Sequence, residues 1–195
     1  MTVDSRGFTL VELSIVIVII GLVIGGVMTG QSLIRRAEIN SITSDIEKYK
    51  TAIYTFKTKY NALPGDMNNA TAFWGAAADC TVAQTTAATC NGNGNGYVTS
   101  NPSASVTSGY EDFLMWKHLA NAGLVQGNYI GITDGATYYS VTARNSPSGK
   151  ISSSLWQVGY AGVQAASIWG AFDGVYNQLI EFGLYMQDES PYNNV

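Results

Sequence analysis

The chain has 195 residues, 46% of them hydrophobic and only 12% charged, with 10 basic and 14 acidic side chains for a net charge of −4. That length suits one domain with its own core and leaves little room for a second; the low charged fraction excludes a disordered or coiled-coil chain, and the acidity excludes a duplex nucleic-acid binder, which needs a dense basic face. One histidine (His118) and two cysteines (Cys80, Cys90) exclude His- or Cys-rich metal sites and iron–sulfur clusters. The charge is unevenly placed: net −1 over residues 1–34, +2 over 35–66 and −5 over 67–195. The chain therefore has a greasy start, a charged middle and a weakly acidic polar remainder.

From Phe8 to Ile34 the only charged residue is Glu12, and Leu13–Met28 is almost wholly apolar. With its flanks this run exceeds 20 positions, enough to cross a hydrocarbon layer of about 30 Å as a helix. A buried core helix is the alternative, but a domain of this size seldom buries so long a helix on all sides. A secretory signal peptide fits less well, because the run is too long and no Ala-x-Ala site follows it. Glu12 is the odd residue. A carboxylate deep in a membrane costs up to about 3 kcal/mol and wants a cationic partner. Arg6 lies outside the apolar run. A free amine at Phe8 would serve, four residues before Glu12, and it exists only if the chain is cut after Gly7.

The string Arg6-Gly7-Phe8-Thr9-Leu10-Val11-Glu12-Leu13, set directly before the apolar run, resembles the class III signal of type IV pilins and type II secretion pseudopilins. The resemblance implies a leader over residues 1–7 that prepilin peptidase removes between Gly7 and Phe8. It implies N-methylation of Phe8 and an assembly role for Glu12, pairing with the terminal amine of a neighbouring subunit. It also implies an α+β fold, in which a long N-terminal helix packs on a C-terminal antiparallel β-sheet domain. The partners it implies are like subunits in a homopolymer, prepilin peptidase and an inner-membrane assembly platform. The location it implies is the bacterial inner membrane as a single-pass precursor, then an extracellular or periplasmic filament. The short leader carries one Arg and one Asp, and Arg35-Arg36 on the far side opposes a positive-inside orientation, so the resemblance sets the N-in direction. Family members often have a proline near the outer end of the run. This chain has none before Pro64 and carries Gly21, Gly25, Gly26 and Gly30 instead. Two readings stand for these glycines: a melting point at Gly25-Gly26, or close packing between membrane helices.

Past the apolar run (8–34), residues 35–62 form a charged continuation. Ile39, Ile42, Ile46, Tyr49, Ile53, Phe56, Tyr60 and Leu63 recur at alternating steps of three and four, one stripe of an α-helix. Pro64 ends the element, so one helix is expected over about residues 9–62, roughly 80 Å long. The stripe serves either a two-chain coiled coil or, more simply, docking onto the chain's own head domain, residues 63–195.

Within that head, Tyr60–Asp66 reads as a turn by its Pro-Gly-Asp content. Ala76–Ser108 is a 33-residue loop-like stretch whose only charge is Asp79. Long ordered loops are usually functional or stapled. Export to an oxidising compartment makes a Cys80–Cys90 disulfide the expected staple, with two free thiols as the alternative. Asn91, Asn93 and Asn95 with Gly96 and Val98 imitate the opening of an EF-hand calcium loop. All three are neutral, and Pro102 stands at the twelfth position, so a glycine-rich turn is the simpler reading. Calcium stays open as a cofactor here, since some pseudopilins hold it in a head loop; Asp79 or the pair Asp188-Glu189 would then supply charge.

Tyr110–Ala122 reads as a short helix with Phe113, Leu114, Trp116, Leu119 and Ala120 on one face and Gly123 as its C-cap. Together with Tyr60–Asp66, residues Glu111, Trp116, Leu119 and Ala122–Leu124 resemble a subset of bacterial pilin-like proteins. Tyr129–Ile132, Thr137–Ala143, Lys150–Tyr160 and Val163–Phe172 read as strands, and Asp173–Met186 as a last helix weakened by Gly183. No catalytic constellation appears: there is no G-x-S-x-G, H-E-x-x-H or P-loop, His118 has no evident nucleophile partner, and Glu111 and Asp112 are adjacent on a helix. A non-enzymatic pilin of a type IV pilus-like filament is the reading. A type II secretion pseudopilin, a minor pilin or adhesin, and a membrane-tethered hydrolase or solute-binding protein are its alternatives.

Overall fold

A computed structural model describes residues 7, 9–78, 80, 84, 86–99, 111–132, 142–151, 154–159, 162–164, 174–176 and 179–184. The chain divides into two compact units, Met1–Thr43 and Ser44–Val195.

The long helix α1 runs from Leu10 to Tyr60 without interruption, within two residues of the expected bounds at each end. It passes unbroken through Gly25-Gly26, where Thr29 Oγ1 donates to the Gly25 carbonyl at 2.9 Å. Within the first unit its apolar side chains face outward, from Leu10 to Ile39. The segment Leu10–Tyr60 contains a stretch long and apolar enough to cross a membrane, with none of that stretch buried.

In the second unit the last turns of α1 supply a core face. Tyr49, Ala52 and Phe56 are buried, so the outer half of the three-four stripe does pack against the chain itself. Tyr49 stands edge-on to Trp116 (5.1 Å between centroids) and to Trp156 (5.2 Å), geometries that suit aromatic quadrupoles. Asn61, with φ of 53°, ends α1 in the left-handed region, and its N–H reaches the Lys57 carbonyl. After the Pro64-Gly65-Asp66 turn comes a short helix α2, Ala70–Trp74.

Helix α3, Glu111–Asn121, starts one residue after the expected position and ends one before. A Schellman ending closes it: Leu124 N–H reaches the Leu119 carbonyl, Gly123 N–H reaches Ala120, and Gly123 has φ of 72°. The expected one-sided amphipathic helix is a correction. Every residue from Glu111 to Leu119 is buried, including Glu111, Asp112, Lys117 and His118. Glu111, Lys117 and His118 are accommodated because loops on either side give them hydrogen-bond partners.

Beyond Leu124 the described backbone holds two antiparallel ladders. Strand β1 (Ser154–Gly159) pairs with β4 (Leu179–Leu184), with Trp156 opposite Phe182. Strand β2 (Gly162–Gln164) pairs with β3 (Gly174–Tyr176). Along β1, Ser154, Trp156 and Val158 are buried while Leu155 and Gln157 are half-buried, the alternation of a strand with one core face. The expected last helix over Asp173–Met186 is overturned: β3 and β4 occupy it, and Gly183 sits in a ladder opposite Leu155. Gly183 had weakened the helix reading, and Val175, Tyr176, Ile180 and Phe182 suit strands. Tyr129–Ile132 is irregular rather than a strand. Ile130 N–H reaches the Arg144 carbonyl and its own carbonyl accepts from Gln84 N–H, so its backbone is satisfied outside any ladder. Residues 137–141 of the expected middle strand lie outside the described residues.

Candidate functional site: the start of the long helix and the loops around the third helix

At the N-terminus Gly7 is exposed and Phe8 lies outside the described residues. Thr9 and Glu12 form a reciprocal pair. Thr9 N–H donates to Glu12 Oε2 at 2.8 Å, Thr9 Oγ1 donates to the same oxygen at 2.8 Å, and Glu12 N–H donates back to Thr9 Oγ1 at 3.3 Å. This is a capping box, in which a threonine and the residue three positions on satisfy two amides that a helix start leaves without partners. The sequence spells it plainly as Thr9-Leu10-Val11-Glu12 ahead of an apolar run. The reading of Glu12 as an ion awaiting a partner passed over it. Glu12 thus already fixes the first turn of α1 from within its own chain.

The candidate calcium residues behave differently from a metal shell. Asn91 Oδ1 accepts from Thr71 N–H at 3.0 Å, Asn93 Oδ1 from Asn95 N–H at 2.9 Å, and Asn95 Oδ1 from Tyr97 N–H at 2.9 Å. Asn93 and Asn95 therefore hold loop backbone, and Asn91 holds the first turn of α2. The loop's own N–H groups turn toward two buried carboxylates. Asp66 takes Asn95 N–H (2.8 Å) on one oxygen and Gly96 N–H (2.9 Å) on the other. Glu111 takes Asn93 N–H (2.8 Å), Thr99 N–H (3.0 Å) and Thr99 Oγ1 (2.8 Å). The glycine-rich stretch is a nest for carboxylates supplied by the protein. Among the described residues no group of three or more His, Cys, Asp or Glu is placed to hold a metal ion. Asp79, Asp188 and Glu189 lie outside the described residues.

The glycines make this nest possible by close approach. A Cβ on Gly92 would stand 2.1 Å from the Gly65 carbonyl oxygen and 2.4 Å from the Asp66 carbonyl carbon. Gly65, at φ of 91°, lies so close to α3 that its own Cβ would meet the Glu111 carbonyl oxygen at 2.3 Å. The Pro-Gly-Asp turn, the asparagine–glycine loop and the first turn of α3 are therefore interlocked backbone to backbone.

Cys80 and Cys90 form the expected disulfide, with Cα atoms 5.9 Å apart. Helix α3 holds the loop it closes. Lys117 Nζ donates to the carbonyls of Thr86 and Gln84 and lies 3.4 Å from Asn128 Oδ1. Asn121 Nδ2 donates to the Ala87 carbonyl at 2.8 Å. Burial of the ammonium lowers the Lys117 pKa. His118 links this loop to the turn. Its Nδ1 accepts from Gly65 N–H at 3.0 Å, which leaves Nε2 to donate to the Cys90 carbonyl at 3.1 Å. The ring stacks near Phe56 and Trp74. Burial, opposed by the Cys90 bond and helped by the Lys117 charge, brings its pKa down to about 4. His118 is a neutral structural strut; both of its nitrogens serve backbone groups.

Residues 4–28 match the family model of the prokaryotic N-terminal methylation motif. The chain thus carries the class III signal of type IV pilins and pseudopilins at the start of its long apolar helix. Neither a search of curated proteins nor one of solved structures finds a match. The signal and the helix behind it are consistent with a membrane-anchored precursor.

Proposed function

We propose that this chain is a structural subunit, a pilin, of a type IV pilus-like filament. The observation that carries the reading is the methylation motif over residues 4–28, set on the first turns of an outward-facing apolar helix. In this reading prepilin peptidase cuts between Gly7 and Phe8 and methylates Phe8, and Glu12 pairs with the new terminal amine of a neighbouring subunit. The apolar stretch first spans the inner membrane and then exchanges lipid for neighbouring helices as an assembly platform extracts the subunit. Van der Waals packing suffices there, because lipid tails and leucine side chains are equally apolar. The head is an α+β pilin domain, and the separate antiparallel β1–β4 and β2–β3 ladders support its β part. Its role is structural rather than catalytic and uses no cofactor. Pseudopilin membership would give the same processing with a periplasmic destination.

The test is the N-terminal peptide mass of the protein in a sheared surface fraction. A peptide beginning at N-methylated Phe8 is the expected result. A peptide beginning at Met1, found only in membranes, would overturn the reading and leave a plain single-span anchor.

A further inference from the structure

The second unit contains a cleft of about 290 Å³ between the end of α1 and the asparagine–glycine loop. Lys57, Asn61, Leu63, Asp66, Asn68 and Gly94 are among the residues that line it. The filament reading makes no use of this cleft. Its size is just under that of ligand pockets, which run from about 300 to 1,000 Å³.

Its chemistry is mixed but balanced. Lys57 is exposed and makes no ion pair among the described residues. Asp66 is buried, and its two oxygens are held by Asn95 N–H and Gly96 N–H, so it is a fixed acceptor with lone pairs to spare. One cation and one carboxylate leave the lining without net charge, which favours neither an anion nor a cation. Asn61 and Asn68 each bring both a donor and an acceptor. Gly94, at φ of 74°, leaves its backbone bare beside the Asn68 amide, where a Cβ would come within 2.9 Å of Nδ2. Leu63, half-buried, adds an apolar side chain to the lining. Paired donors and acceptors beside an apolar side chain match a ligand whose groups each donate and accept on an apolar ring. That ligand class is the uncharged sugar.

The geometry points to this cleft as a binding site for one neutral saccharide residue, a free hexose or the end of a glycan. The assignment is independent of polymerisation, so the filament reading and this one fail separately.

The experiment uses the full chain, isotope-labelled, in a detergent without a sugar headgroup. D-glucose, D-galactose and N-acetyl-D-glucosamine are titrated while the amide resonances of Gly94 and Gly96 are followed, with sodium D-glucuronate as the charged comparison. The expected result is saturable movement of those amides by at least one neutral sugar, with a Kd of about millimolar order. Lys57→Ala and Asn68→Ala should each weaken that binding by about fivefold, the loss of one ordinary hydrogen bond. Both residues are exposed, so the variants keep the fold, and retention of the Gly65 and Gly123 resonances checks that they do. Tyr54→Ala, at an exposed residue outside the lining, should bind as wild type. No movement with any neutral sugar overturns the assignment. So does binding confined to glucuronate, or binding that both lining variants leave unchanged.

Discussion

Glycine does opposite work in the two units. In the first, Gly21, Gly25, Gly26 and Gly30 have open space where a side chain would be, with nothing within 4 Å. In the second, Gly65 and Gly92 stand so close to neighbouring backbone that a single added carbon would overlap it. The first unit is a helix whose shape follows from its own sequence and whose apolar side chains stand exposed. The second is an interlock, in which turn, loop and α3 each exist in the form they do because the others are present. A glycine in the helix costs local stability and keeps its surface narrow. A glycine in the interlock is a condition for assembly of that unit.

The largest expected effect tests that contrast. Gly92→Ala drives a methyl into the Gly65–Asp66 backbone, where no flexible side chain can yield, and should destabilise the second unit by at least about 3 kcal/mol. Gly25→Ala should leave the second unit's urea transition unmoved while raising local helix stability by up to about 1 kcal/mol. Urea titration of the full chain in detergent, followed by tryptophan fluorescence, reads the transition, since all four tryptophans lie beyond residue 43. Equal effects from the two substitutions would erase the distinction between the units.

The next effect is a pH dependence confined to the second unit. His118 is neutral in the folded chain, with its pKa depressed from 6.5 to about 4. Unfolding releases it to bind a proton at ordinary values. Its contribution is therefore complete above about pH 6.5 and is lost as the pH falls toward 4. The full loss is up to about 3 kcal/mol. Protonation would also put a hydrogen on Nδ1, facing the Gly65 N–H that now donates to it. The urea midpoint of wild type should fall over that window, and the difference from His118→Gln isolates the histidine's share. Parallel pH profiles for the two proteins would show that the imidazole is not held neutral.

A smaller loss is expected from removing the disulfide. Cys80→Ser with Cys90→Ser opens a short loop, which on the chain-entropy model costs about 2–3 kcal/mol. The grip of Lys117, Asn121 and His118 on residues 84–90 should survive, because its acceptors are backbone carbonyls that the substitutions leave in place. Amide exchange at Thr89 and Gly92 separates the two contributions: protection retained in the double serine variant means that α3 holds the loop without the crosslink.

Much of α1 was legible in sequence because its rules are local. An apolar run, a three-four stripe and a proline stop set α1 to within two residues at each end. The head was legible only where a local signal existed: Gly123 closed α3, and two cysteines in a loop-like stretch paired. The nest was hidden because its partners are far apart in sequence. Asn93 and Asn95 resembled metal ligands by spacing, but their oxygens hold loop amides while Asp66 and Glu111 fill the centre. The burial of His118 and Lys117 was equally non-local, because it depends on backbone acceptors brought in by separate loops. At Asp173–Met186 the helix reading gave way to strand pairing with Ser154–Gly159 and Gly162–Gln164, partners that periodicity alone does not reveal.

The smallest effect on stability bears most directly on function, at the Thr9–Glu12 box that starts α1. Glu12 serves its own helix through Thr9, and in the proposed filament it also serves a neighbour's amine. Alanine at position 12 removes both roles and separates neither. Glutamine preserves the capping box, since its side-chain carbonyl accepts the Thr9 N–H as a carboxylate does, but it carries no charge. Glu12→Gln should therefore change protection of the Leu10–Leu13 amides by less than about 0.5 kcal/mol, whereas Thr9→Val should cost about 1 kcal/mol there. If charge pairing drives assembly, Glu12→Gln subunits will be cut after Gly7 yet fail to appear in sheared filaments, and Thr9→Val subunits will assemble. The reverse pattern, with Glu12→Gln filaments normal and Thr9→Val filaments lost, would mean that this glutamate acts by fixing the start of its own helix.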